Sequence, residues 1–194
     1  MMSKFDSQRL VDRVWVKHYK KIHGKHQAKR LLEAKKLAIE LNVIKGIETV
    51  IDWCNARRIN VSFTSKTTGT YNGAERLICV NSKQALAKQL YVLLHECGHL
   101  LIDDRSKTTE FRFRKGYYVT DENIKKLFIY RCTVVEEEFE AWSRGRKLAK
   151  KLGIKINDDA FDDLKSALLK TYMKWAIGDP EHQANGPSSH LNKK

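Results

Sequence analysis

The chain has 194 residues, enough for one domain with a substantial core, and 42% of them are hydrophobic. It opens with no apolar leader, and no apolar run reaches the roughly eighteen residues of a membrane span, so neither a signal peptide nor a transmembrane helix is expected. A total of 37 Lys and Arg against 23 Asp and Glu leaves a net charge of +14, which suits attraction to nucleic acid or another polyanion and equally suits plain solubility.

From about residue 6 to 57 the spacing of apolar residues is helical, first over 9–16, then over Gln27 to Leu41. Asn42 or Gly46 is expected to break this helix, and Ile47 to Ala56 to form a third. Lys17, Lys20, Lys21, Lys25, Lys29, Arg30, Lys35 and Lys36 make it the basic end of the chain, read first as a solvated helical face. Ile59 to Thr64 alternates apolar and polar residues, as a half-buried strand does. Asn72-Gly73 marks a tight turn, and Arg76 to Val80 a further strand. Asn81, three residues before Gln84, is a candidate N-cap for the next helix. Cys54, Cys79, Cys97 and Cys132 stand singly without a C-x-x-C pair, the usage of reduced thiols in a cytoplasmic protein.

The helix that follows, to about Ile102, holds the strongest chemical signal: Leu93-Leu94-His95-Glu96-Cys97-Gly98-His99-Leu100-Leu101. Residues four apart share one face of an α-helix. His95 and His99 can thus offer two imidazole nitrogens to one ion, with Glu96 beside them as a general base. The apolar flanks put these polar groups on a buried helix, where each needs a partner, and a metal is one. Cys97 points to another side of the helix and is not counted as a ligand.

A catalytic zinc site takes three protein ligands and keeps one position open. A third histidine in the metzincin arrangement is excluded, because Ile102 and Arg105 stand where that pattern needs Gly and His. The segment from Asp103 to Thr120 is basic and aromatic, and suits a hairpin, a lid over the site, or stacking on single-stranded nucleic acid. Beyond it, a helix from about Glu122 to Leu152 is expected, with Asp121 as N-cap and Gly153 as stop. Its apolar stripe runs through Arg131, Val134, Val135, Glu138, Ala141, Trp142, Gly145, Leu148 and Ala149. Glu138 is the acidic residue on that stripe and the preferred third ligand, with Glu137 next. Glu136, Glu137 and Glu140 otherwise read as a solvated charge run. Tyr117, Tyr118, Tyr130 and Arg131 are candidates for a second electrophile at the oxyanion.

The motifs Leu93-Leu94-His95-Glu96-Cys97-Gly98-His99 and Glu138-Phe139-Glu140-Ala141-Trp142, in that order, resemble the ImmA/IrrE-type zincin metallopeptidases and related phage-encoded metallopeptidases. The resemblance covers about residues 55 to 152 and implies a short sheet before the motif helix, with Glu138 on the family's E-x-x-A ligand position. Trp142 departs from it, standing where the family has Asn or Asp, so a hydrogen bond from that position to a ligand histidine is missing.

After Gly153 an amphipathic helix is expected over about Asp159 to Ile177, and then a polar tail, 178–194. The expected fold is therefore α+β: a zincin-like minimal domain, helix-rich, with a small three-stranded and mostly antiparallel sheet. It spans residues 1–177 with a basic helical N-terminal extension. The expected function is that of a cytoplasmic zinc metallopeptidase acting on a protein or peptide. Zn2+ would be held by His95, His99 and Glu138, with Glu96 catalytic. The alternative is a basic protein that binds nucleic acid or a regulator on a non-catalytic zincin scaffold.

Overall fold

The computed structural model describes residues 4–65, 69–105 and 128–178. The basic, aromatic segment from residue 106 on, with Tyr117, Tyr118 and the expected helix start at Asp121, lies outside them, as does the tail from residue 179. The chain divides into two compact units, Met1–Lys45 and Gly46–Lys194.

The first helix, α1, covers Lys4–Asn55, with non-helical backbone at Gly24, whose φ is 80°. The expected break at Asn42 or Gly46 does not occur. Instead Gly24 interrupts the helix, in a left-handed conformation that glycine reaches without steric cost. Gly46 stays helical because its missing side chain is used in packing. A Cβ there would lie 3.0 Å from Ile154 Cγ2 and 3.2 Å from Leu90 Cδ2. In the first unit, Lys29 and Lys36 sit one turn before Glu33 and Glu40 and pair with them along the exposed helix surface.

In the second unit the end of α1 leads into a small sheet of β1 (Asn60–Thr64), β2 (Thr70–Asn72) and β3 (Leu77–Asn81). The strand order is β1-β3-β2, with β1 parallel to β3 and β2 antiparallel to it. The sheet is thus mixed, not mostly antiparallel as expected. Two chain reversals return β3 to the direction of β1. The apolar β3, whose Ile78 and Val80 are fully buried, takes the centre, where both of its edges find hydrogen-bond partners. Asn72 closes the β2–β3 turn by accepting from the N–H groups of Ala74 and Glu75.

The motif helix, α2, covers Leu86–Arg105. Asn81 does not cap it directly. Its Oδ1 accepts from Lys83 N–H, forming a turn ahead of the helix. Next comes α3, Phe128–Lys151, which ends as expected at Gly153, where φ is 69° and Ile154 N–H returns to Ala149 C=O. The last described helix, α4, covers Asp158–Ala176, and its N-cap Asn157 accepts from Ala160 N–H. Helix α2 packs against β2, β3 and α3, and α3 packs against α4. The molecule is therefore α+β and helix-rich, and no described helix is long and apolar enough to cross a membrane.

Candidate metal centre

The site is made where α2 and α3 cross, and small residues set how closely they cross. A Cβ at Gly98 would fall within the backbone carbonyl of Ala141, and one at Gly145 would lie 2.5 Å from the carbonyl oxygen of Leu94. Gly98 and Gly145 therefore let the two helix backbones touch. Arg144 adds a clamp, donating to Leu101 C=O at 2.7 Å while pairing with Glu140. Glu140 is thereby a partner of Arg144, on the side of the helix. Glu138 stands three residues before Ala141, so the close crossing carries its carboxylate between the two histidines.

Glu138 Oε2 lies 3.2 Å from His95 Nε2, and Glu138 Oε1 lies 3.5 Å from His99 Nε2. Ligand atoms of His95, His99 and Glu138 all fall within 4.8 Å of one another. The two motif histidines and the glutamate chosen by the apolar stripe are thus brought together. Burial works against the charge on Glu138, but His99 and His95 outweigh it and hold the carboxyl well below its usual range. Burial likewise opposes the imidazolium of His99, and the carboxylates of Glu138 and Glu137 outweigh it, so His99 holds its proton well above the usual histidine range. Both shifts have one cause, the mutual attraction of the Glu138 carboxylate and the two imidazoles.

Glu96 stands next to the cluster, 6% exposed. Burial raises its pKa, against the pull of His95, His99 and a hydrogen bond from the Tyr71 backbone N–H. Gly69 makes room for it: with φ at 137°, a Cβ there would lie 2.5 Å from Val92 Cγ1 and 3.2 Å from Glu96 Oε1. The β2 edge strand and the glycine before it therefore hold the carboxylate from above α2. Substituting Gly69→Ala should displace Glu96 and strain the backbone, at a cost of about 1–3 kcal/mol. Thermal unfolding of that variant checks the prediction, and an unchanged melting temperature would contradict the crowding described.

The two histidines are braced differently. The indole of Trp142 lies flat on the His95 ring, with centroids 4.3 Å apart and planes at 20°. Phe161 meets the indole edge-on, and Tyr91 meets Phe161. His95 Nδ1 is buried and has no hydrogen-bond partner among the described residues. Stacking on Trp142, and not a hydrogen bond at Nδ1, thus braces His95 among the described residues. His99 instead faces Glu137, with Nδ1 3.7 Å from Glu137 Oε1.

Glu137 corrects the expectation of a solvated charge. It is 8% exposed, because α2 covers the flank of α3 as well as its central stripe. A helical wheel drawn on α3 alone places it at the side, and only the position of α2 buries that side. Glu136 is exposed, as expected. Of the suggested electrophiles, Arg131 is engaged elsewhere: it donates to Trp175 C=O, with its guanidinium over the Trp175 ring. Tyr130 packs in a cluster with Val134, Trp175 and Ala176. Cys97 faces away from the cluster, its sulfur 3.6 Å from that of Cys54. A comparison with known proteins finds no matching family, no similar curated protein and no similar solved structure.

Proposed function

We propose that the chain is a zinc-dependent metallopeptidase of the zincin type, akin to the ImmA/IrrE group, that hydrolyses peptide bonds in a protein substrate. The observation that carries this reading is the convergence of His95, His99 and Glu138 from two helices, with the buried carboxylate of Glu96 alongside. Two imidazole nitrogens and one carboxylate oxygen form a donor set that zinc accepts in catalytic sites. Among the described residues the cluster has three members, which suits a site with a position left open for water and substrate. When bound, zinc supplies a Lewis acid and lowers the pKa of water at that position.

The chain's own groups do the rest. His95, His99 and Glu138 would hold the ion, with a net protein charge of −1 once both histidines are neutral. Glu96 takes a proton from the attacking water and passes it to the leaving amine. The Tyr71 N–H fixes the carboxylate in place. The test is stoichiometry. Protein loaded with zinc and freed of excess metal should keep one equivalent per chain, and the Glu138→Ala variant should keep far less. A wild-type protein that retains none would overturn the metal centre and the peptidase together.

A second reading draws on the charge of +14 and on the exposed Lys29, Arg30, Lys35 and Lys36 of α1: binding of nucleic acid by a scaffold that does no hydrolysis. Such binding would be salt-sensitive and indifferent to Glu96.

A further inference from the structure

The imidazole of His99 faces a different carboxylate with each of its nitrogens: Nε2 toward Glu138 at 3.5 Å and Nδ1 toward Glu137 at 3.7 Å. When the lone pair of Nε2 is given to a metal, the ring proton sits on Nδ1 and needs an acceptor. Glu137 Oε1 is the carboxylate oxygen that faces that nitrogen. Its position is costly: the carboxylate is buried and its Oε2 has no hydrogen-bond partner among the described residues. Neither the ligand set nor the base requires it.

We propose that Glu137 is a positioning residue that fixes the tautomer and ring orientation of His99, so that Nε2 points at the metal. The inference rests on the metal-centre reading above. It makes the two histidines a mismatched pair: His95 is held by the flat contact with Trp142, and His99 by a charged acceptor. Adjacent glutamates on α3 thereby divide the work, Glu138 binding the ion and Glu137 aiming a ligand.

The experiment measures zinc affinity by competition with a chromophoric chelator, beside the melting temperature of the metal-free protein. Glu137→Met keeps the length of the side chain and removes the acceptor. Its metal-free form should melt lower than wild type, since His99 loses one of the carboxylates that face it, and it should bind zinc about 10–100-fold more weakly at the same stoichiometry. Glu137→Gln, whose amide oxygen still accepts the Nδ1 proton, should recover most of the affinity. If Glu137→Met binds zinc as tightly as wild type, the positioning role is overturned while the metal centre stands. If Glu137→Met abolishes binding and Glu138→Ala does not, Glu137 is itself the ligand and the assignment is overturned. If wild type binds no zinc, the metal centre itself falls.

Discussion

Replacing Glu96 with Gln should leave zinc in place and lower peptide hydrolysis by about 10²–10⁴-fold, the usual worth of a positioned general base. The amide matches the carboxylate in size, and its oxygen can still accept from the Tyr71 N–H that holds Glu96. What it cannot do is take a proton. The buried surroundings that raise the basicity of Glu96 belong to α2 and the β2 edge, and they are unchanged by the substitution. Turnover of a peptide cleaved by wild type, measured with zinc content in the same preparation, separates the possible roles. Full activity in the variant would remove Glu96 from the mechanism. Loss of zinc would make it part of the support for the ligands instead. Polyanion binding that persists at full strength in a variant without hydrolysis would mark the basic helix as a separate function.

The second large effect is expected at Gly98, which touches no ligand. An Ala there gains about 1 kcal/mol in helix propensity over Gly. It also puts a methyl group into the backbone carbonyl of Ala141, which has no rotamer by which to move aside. Overpacking costs about 1–3 kcal/mol and more where the neighbour is rigid, so the net change should be destabilising by roughly 2 kcal/mol. In a domain of this size that lowers the melting temperature by about 4–8 °C. The helices must also part, and Glu138 moves away from His95 and His99 with α3. Zinc affinity should therefore fall further than stability alone predicts. Gly153→Ala is the control: its φ of 69° strains an Ala, but nothing lies within 4 Å of the added carbon, so it should cost stability without weakening zinc. A Gly98→Ala protein with wild-type melting and zinc affinity would contradict the close crossing.

The features legible in the sequence were those set by one helix at a time. A spacing of four residues places His95 and His99 on one face whatever surrounds them, since 3.6 residues make a turn. The apolar stripe of α3 marked Glu138 because a carboxylate among Val134, Ala141 and Trp142 has nowhere to go but the core, and these neighbours are indeed buried. The stop at Gly153 followed from glycine's access to the left-handed region.

The remainder depended on pairs of residues far apart in the chain. Nothing local tells β1 to pair with β3, because β2 lies between them in the chain and hydrogen bonds are open on every strand. The choice is made by which strand buries Ile78 and Val80. Gly46 looks like a helix breaker in sequence, yet it and Gly98 are each a point of contact with another element. Glu137 looks solvated until α2 is laid against its flank, and Arg131 looks available until α4 supplies a carbonyl. Periodicity reports which side of a helix is apolar, and so it marked Glu138 and paired His95 with His99. Burial of the sides between is decided by the neighbouring helix and its distance. That distance was set by the absence of two side chains, at Gly98 and Gly145, whose meaning exists only in the folded chain.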